Sequence, residues 1–204
     1  MLHLAAATPI VLLAAAAFAD RLGADPIATL THETGQWALR LLLATLAVTP
    51  LRIVSGWSWP LQYRRLLGLW AFGYACLHLS IYLALDLGGY WLQIVDDIAE
   101  RPFITVGFLA WLLLVPLAAT STRGMMRRLG RRWLQLHRLA YLAAGLAVLH
   151  FLWLVKADLR EPLLHAAILA ALLLLRLPWL RMRFERRRRA RPAGSGAGNA
   201  ALRR

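Results

Sequence analysis

Two histidines, His78 and His150, stand inside apolar stretches at matching distances from an acidic residue. His78 lies eight residues before Asp86, and His150 lies eight residues before Asp158. If both stretches are helices that run in the same direction, both imidazoles lie at one depth, about 12 Å inward from those carboxylates. Two imidazoles at one depth on two helices suit a membrane b-type haem, whose iron takes one ring nitrogen from each side.

The residues around each histidine are of the kinds that line a porphyrin pocket. Small residues leave room for a flat ring, and aromatic residues supply apolar walls. The alternative is two core imidazoles hydrogen-bonded across helices, for instance by the hydroxyl of Ser80. Haem is favoured because polar residues inside a membrane segment are costly and need a reason. The flanking residues are Gly73, Tyr74, Ala75 and Tyr82 near His78, and Gly145, Ala147, Phe151 and Trp153 near His150.

A third histidine, His137, lies thirteen residues before His150. On a straight helix the two side chains point about 140° apart, so they do not share a face. The matching position before His78 carries an arginine, so this layer combines one imidazole with guanidinium groups. Such a layer predicts a site for a flavin phosphate, a haem propionate or a quinone carbonyl, and His137 stays a candidate haem ligand in place of one of the pair. The arginines of the layer are Arg64, Arg65 and Arg138.

The elements that position these residues follow from the composition. The chain has 204 residues, of which 60% are hydrophobic, and a mean hydropathy of +0.55, whereas a soluble domain is nearer to half apolar. The apolar segments do not alternate with polar residues, which argues against transmembrane strands, and each approaches the roughly 20 residues that a helical span needs. We predict an all-α polytopic membrane bundle of six transmembrane helices, at about 2–19, 37–54, 66–85, 103–119, 136–155 and 163–180.

The arginines predict an orientation for this bundle. One set of loops and the tail carry most of the arginines, whereas nine of the ten acidic residues lie on the other side. By the positive-inside rule, the arginine-rich side and both termini are cytoplasmic. Each arginine near His137, taken alone, also fits the ordinary set of basic residues at the cytoplasmic membrane surface, the basic collar. We expect His3, His32 and His165 at membrane boundaries, with His32 and its neighbour Glu33 in a periplasmic loop.

The remaining composition argues against several classes of protein. A formal charge of +14 would suit nucleic-acid binding, but the charge lies between apolar segments and in the tail, which fits a membrane surface. The single cysteine, Cys76, excludes an internal disulfide, a Cys-rich zinc site and an iron–sulfur cluster. The sequence contains no nucleotide-binding or hydrolase motif and no internal repeat, so electrons must come from another molecule.

We predict two parts of unequal size. Residues 1–180 form the six-helix haem-binding transmembrane domain, in which residues 1–19 are a retained first helix rather than a cleaved signal. Residues 181–204 form a basic cytoplasmic tail whose Gly- and Ala-rich end is predicted to be disordered.

Six stretches together resemble one known family, MsrQ (formerly YedZ), within the ferric-reductase-like transmembrane group. The resemblance covers nearly everything from Gly23 to Leu180. The stretches are specific in combination, although any one of them alone would be weak. They are GADPI at 23–27, THETGQWALRLLLATLAVTPLR at 31–52, RRLLGLWAFGYACLHLSIY at 64–82, RPFITVGFLAW at 101–111, TSTRGMMRRLGRRWLQLHRLAY at 120–141 and HFLWLVK at 150–156.

The resemblance implies a membrane electron-transfer subunit rather than a catalytic reductase subunit. It implies that electrons pass from the quinone pool to MsrP, a periplasmic molybdopterin enzyme that reduces methionine sulfoxide in oxidised envelope proteins. Haem b and FMN are the cofactors associated with the family, and the bacterial inner membrane is its location. On the family's pattern, His78, His137 and His150 fall on the three histidine positions. Arg64 falls on an arginine position suspected of flavin or quinone contact.

Two other functions stay open from the residues alone. A ferric-reductase-like protein or a quinol-linked cytochrome b that serves another acceptor would carry the same histidines. A small transporter or an assembly scaffold would instead distribute polar residues along a pathway. The apolar segments hold few polar groups besides the histidines, which disfavours the transporter.

Overall fold

The fold is all-α, as the sequence predicts. The computed structural model describes residues 2–88, 100–180 and 182, and no strand occurs among them. A 3-10 turn at Trp59–Tyr63 leads into the third helix, and a π-helical turn at Tyr82–Asp86 continues that helix. The helices are α1 (Leu2–Phe18), α2 (Pro26–Ser55), α3 (Arg64–Ile81), α4 (Pro102–Ala119), α5 (Arg123–Leu129), α6 (Arg131–Leu136), α7 (Leu139–Leu154) and α8 (Arg160–Leu174).

Helix α2 begins at Pro26, well before the predicted start near residue 37. The Asp25 carboxylate accepts a hydrogen bond from the Ala28 N–H at 2.9 Å, and Pro26 sits in the first turn, where its missing N–H costs nothing. The predicted loop placement of His32 and Glu33 is therefore wrong, since both are helical. Their polarity lowers the local hydropathy, whereas the cap determines where the helix begins.

Four helical segments are long and apolar enough to cross a membrane, namely Pro26–Ser55, Trp59–Asp86, Pro102–Ala119 and Arg131–Leu154. Together they make this an integral membrane protein. The first and sixth predicted spans correspond to shorter helices of 17 and 15 residues, α1 and α8. Six spans with cytoplasmic termini thus stay a prediction. Apart from Met182, the predicted tail at 181–204 lies outside the described residues.

Two pairs of helices form the centre of the bundle. α2 packs along α3, α4 packs along α7, and the two pairs share one apolar core. Ala71, Ala143 and Ala144 are almost fully buried at these contacts. Such small side chains let helix backbones approach closely, which is how helices associate in lipid. The two pairs meet so that the C-terminal parts of α3 and α7 come within side-chain reach of each other.

Helix α1 is attached to this centre by two aromatic side chains of α3. The hydroxyl of Tyr74, which is 0% exposed, donates to the carbonyl of Ala6 at 2.8 Å. The indole N–H of Trp70 donates to Nδ1 of His3 at 3.2 Å. The rest of the outer face of α1 is exposed and apolar, as expected for a surface in contact with lipid.

Candidate functional site

The structure brings His78 of α3 and His150 of α7 together. Their ring centroids lie 6.3 Å apart, and the ring planes are inclined by 77°. His78 Nδ1 donates to the carbonyl of Thr31 at 2.9 Å, and His150 Nδ1 donates to the carbonyl of Phe103 at 2.7 Å. These bonds set the tautomer in which Nε2 is the unprotonated nitrogen. Within the described part of the chain, neither Nε2 has a hydrogen-bond partner.

A glycine faces each imidazole at close range. A Cβ on Gly35 would lie 3.0 Å from the His78 ring, and a Cβ on Gly107 would lie 2.7 Å from His150 Nδ1. Each glycine follows the carbonyl residue by four positions, one helical turn further along the same face. A backbone carbonyl and a glycine therefore hold each ring between them and fix its orientation.

The two histidine sites repeat each other in residue spacing. In each, 47 residues separate the histidine from the residue whose carbonyl it bonds. Thr31, Gly35 and His78 thus recur 72 residues later as Phe103, Gly107 and His150. The sequence shows no overall repeat, but this register could have been found by aligning the chain on Asp86 and Asp158. It means that α2–α3 and α4–α7 present their histidines in the same way.

This arrangement fits two axial ligands of one iron. A metal–imidazole bond is about 2 Å long and the ring centre lies about 1 Å beyond the nitrogen, so two imidazoles on opposite sides of one metal have centroids about 6 Å apart. The observed separation of His78 and His150 is 6.3 Å. Metal-bound histidines also typically donate their second nitrogen to a carbonyl or carboxylate, as both do here. The residues present therefore fit a group that is bound by two imidazoles.

The alternative of a hydroxyl-bonded histidine pair does not describe these contacts. The Ser80 hydroxyl donates to the Cys76 carbonyl in its own helix at 2.8 Å, not to an imidazole. The cross-helix bonds of His78 and His150 use only Nδ1, so Nε2 of each ring remains available to bind a ligand.

A second candidate site lies at the other end of α3, in a cavity of about 410 Å³ that we call the basic cavity. Of the three arginines proposed from the sequence, Arg64 and Arg65 line this cavity, whereas Arg138 is exposed and not part of the lining. Arg123, at the start of α5, lines the cavity and was missed, because a single arginine in a basic loop carries no distinguishing signal. Leu114, Leu117 and Phe72 supply the apolar part of the lining.

His137 also lines the basic cavity, at the break between α6 and α7. Its ring stacks on Trp133 with centroids 3.8 Å apart, and its Nδ1 donates to the Trp133 carbonyl at 3.1 Å. Its Nε2 is buried and has no hydrogen-bond partner. A buried nitrogen without a partner is costly, and a polar ligand in the cavity would supply one. Arg65 occupies the equivalent position on α3, so this layer holds one imidazole, not two.

Helix α2 contributes a polar network that the sequence did not reveal. Gln36 is 5% exposed; its amide N–H groups donate to His32 at 2.8 Å and to the Glu161 carboxylate, and its carbonyl accepts from Arg40. Every polar atom of this amide is thus bonded. His165, predicted at a membrane boundary, is buried within the protein beside the network and donates to the Glu161 carbonyl at 2.8 Å. These hydrogen bonds connect α8 to α2 and are made within the protein. They therefore differ from the polar residues distributed along a pathway that a transporter would have.

Comparison with known proteins gives one consistent result. The family model described as "Ferric reductase like transmembrane component" matches residues 34–148, which is more than half of the chain. A protein of Xanthomonas axonopodis pv. citri (strain 306) is 58% identical over 179 residues, covering 85% of this chain and 82% of the relative. It carries the name "Protein-methionine-sulfoxide reductase heme-binding subunit MsrQ".

Two further relatives carry the same name. One, from Xanthomonas campestris pv. campestris (strain 8004), is 63% identical over 154 residues, covering 76% of this chain and 71% of the relative. The other, from Rhodospirillum rubrum, is 57% identical over 157 residues, covering 76% of each chain. No solved structure matches the chain.

Proposed function

Because this chain belongs to the MsrQ family, within the ferric-reductase-like transmembrane group, we propose that it is a haem-binding electron-transfer subunit of a protein-methionine-sulfoxide reductase. Electrons from the quinone pool reach haem b either directly or through a flavin, and they leave to the periplasmic molybdopterin enzyme MsrP. That enzyme then repairs oxidised envelope proteins, while this chain carries out no sulfoxide chemistry itself.

The observation that carries this proposal is the paired geometry of His78 and His150. Each ring is held by a backbone carbonyl and a glycine, and each leaves Nε2 free at a centroid separation of 6.3 Å. Haem, when bound there, supplies one-electron chemistry. The chain's own part is to hold two neutral imidazoles in fixed orientation and to surround them with apolar helices, which keep water away.

The basic cavity is the proposed flavin site. Three guanidinium groups, from Arg64, Arg65 and Arg123, face a partly apolar space of about 410 Å³, a size typical of small-ligand pockets. Guanidinium groups bind phosphate by charge-assisted hydrogen bonds, and the unpartnered Nε2 of His137 offers a further contact to the ring system. In this proposal His137 contacts the flavin, and Arg138 stays a predicted contributor from the surface.

The orientation supports this route. The basic cavity lies thirteen residues, about 20 Å of helix, from His78 along α3. With the arginine-rich side in the cytoplasm, electrons that come through the flavin enter at the cytoplasmic end of an inner-membrane protein and leave near the periplasm. The proposed six spans and cytoplasmic termini place the acidic loops on the side where MsrP would bind.

The first test is an oxidised-minus-reduced absorption spectrum of the detergent-purified protein, with pyridine haemochrome quantification. We expect a b-type spectrum and about one haem per chain. If protein produced with haem available shows no such spectrum, the proposed electron-transfer mechanism is wrong.

Arg64→Ala is expected to leave haem content unchanged and to slow haem reduction by reduced flavin at least about tenfold, because one phosphate contact is worth that order of affinity. Stopped-flow reduction of the purified variant measures this rate, with Arg52→Ala, an exposed arginine outside the cavity lining, as the control. Equal rates for Arg64→Ala and the wild type would mean that Arg64 is one of the ordinary basic residues at the cytoplasmic membrane surface and does not bind the flavin.

A second candidate function follows from the family model, whose description names a ferric reductase. In that case the same histidine pair serves another acceptor, such as ferric iron. Haem reoxidation by purified MsrP, compared with reoxidation by a ferric chelate, separates the two functions.

A further inference from the structure

A groove between α1 and α2 combines an apolar lining with one carboxylate. Its volume is about 380 Å³, and Glu33 and Trp37 line it from α2. The facing residues of α1 are small or apolar apart from Thr8, whose hydroxyl is already bonded to the Leu4 carbonyl at 2.8 Å. Glu33 is therefore the charged group of this lining.

Glu33 lies at the depth of the histidine pair. It follows Thr31, whose carbonyl bonds His78, by two residues, or about 3 Å along the helix axis. No described residue forms a hydrogen bond or an ion pair with its carboxylate. A carboxylate at membrane depth is costly and is therefore a candidate for function. Its natural complement in an apolar groove is a ligand that donates a hydroxyl.

Helix α1 offers a second acceptor to the same groove. Pro9 stands inside α1 and has no N–H to donate to the carbonyl of Ala5, one turn earlier. Both Ala5 and Pro9 line the groove. The groove thus presents a carboxylate, a backbone carbonyl and the flat indole of Trp37. This set suits a planar, apolar molecule with hydroxyl groups.

An aromatic contact links the groove to the histidine pair. The rings of Trp37 and Tyr74 have centroids 6.4 Å apart. Tyr74 is fully buried and stands one helical turn before His78 on α3. A molecule stacked on Trp37 would therefore be connected to α3 through Tyr74, one helical turn from His78.

We propose that the α1–α2 groove is a quinol-oxidation site and that Glu33 accepts a proton from the quinol. A quinol that becomes a quinone gives up two electrons and two protons. The electrons leave one at a time toward the haem between His78 and His150, and the protons leave through Glu33 to the aqueous phase. This inference rests on the proposed function, and it assigns the quinol to a site separate from the basic cavity.

The charged residues that line the two sites indicate which ligand each site binds. The basic cavity is lined by three arginines and favours an anionic flavin phosphate, whereas the charged residue that lines the groove is a carboxylate, which favours a neutral quinol. The Arg40 guanidinium lies 5.2 Å from the centre of the Trp37 ring but does not line the groove. The groove lies beside the exposed apolar face of α1, from which a quinol tail can extend into lipid.

The test uses the full-length protein in lipid nanodiscs, with decylubiquinol as the electron donor and an anaerobic stopped-flow record of haem reduction. Glu33→Gln is expected to retain its haem and its reduction by dithionite, and to lose at least about tenfold in the decylubiquinol rate. Glu100→Gln, an exposed carboxyl outside the groove, is the matched control and is expected to behave as the wild type.

A binding measurement complements the rate. Fluorescence titration with heptyl-hydroxyquinoline N-oxide, a quinol analogue, is expected to give at least about tenfold weaker binding in Leu12→Trp. Leu12 lines the groove and is 63% exposed, so a larger side chain there fills the groove without entering the core.

Wild-type binding and wild-type decylubiquinol rates in both variants would overturn the groove assignment and leave the proposed function intact. A loss of the decylubiquinol rate in Arg64→Ala, with Glu33→Gln normal, would also overturn it, because the quinol would then bind in the basic cavity. A wild-type protein without haem would overturn the proposed function and this inference together.

Discussion

Replacing His78 or His150 by alanine is expected to remove haem from the protein. In the proposed site each ring would supply one nitrogen to the iron, so losing either ring would leave the porphyrin held by a single imidazole and by apolar contacts. Loss of a supporting contact behind a metal ligand already costs about 10- to 100-fold in affinity, so loss of the ligand itself should cost at least that much. Pyridine haemochrome analysis per mole of purified chain measures the effect.

Two other histidines serve as controls for this loss. His3→Ala should keep full haem, because His3 bonds only Trp70 at the edge of the bundle. His137→Ala should keep most of the haem if His137 faces the flavin instead. Complete haem retention in His78→Ala or in His150→Ala would rule out the pairing, and loss of haem in His137→Ala would make His137 the partner of one of them.

Gly107→Ala is the second large expected effect. The added Cβ would lie 2.7 Å from His150 Nδ1 and 2.9 Å from its Cε1, closer than such atoms approach in proteins. The ring must then move, although its Nδ1 is bonded to the Phe103 carbonyl at 2.7 Å. We expect haem affinity to fall about 10- to 100-fold, as when a contact behind a metal ligand is lost.

A glycine in open space provides a matched control. Gly124 lies on the short helix α5, and a Cβ there meets nothing within 4 Å. Alanine is favoured over glycine in a helix by up to about 1 kcal/mol, so Gly124→Ala should keep its haem and be at least as stable as the wild type. Gly35→Ala should be milder than Gly107→Ala, because its nearest His78 atoms lie at 3.0 Å. Equal haem content in Gly107→Ala and Gly124→Ala would contradict a positioning role for Gly107.

The sequence was sufficient to predict an all-helical protein and to select His78 and His150 as two histidines at the same depth. Each histidine precedes an acidic residue by eight positions, and this equal spacing predicts an equal depth because a helix has a constant rise per residue. Apolar segments are recognisable because lipid demands them. These features depend on local pattern, and the observed pairing of His78 with His150 follows the same reasoning.

The parts that the sequence did not supply depend on contacts between distant residues. The carbonyls of Thr31 and Phe103 have no sequence signature, because every residue carries a carbonyl. Gly35 and Gly107 are recognisable only once their helices are laid against α3 and α7. The early start of α2 was missed because a cap at Asp25 outweighed low hydropathy. That error also hid the position of Glu33 within the helix, two residues after Thr31.

Small gases would find no vacant position on an iron that is bound by both His78 and His150. At a ring-centroid separation of 6.3 Å the two imidazoles would hold one metal and leave no space for a further ligand between them. Dioxygen, carbon monoxide and cyanide bind haem only where a coordination position is open. A carrier closed in this way can pass electrons through the porphyrin edge without making superoxide at the metal. Such insulation would suit a pathway that repairs oxidative damage.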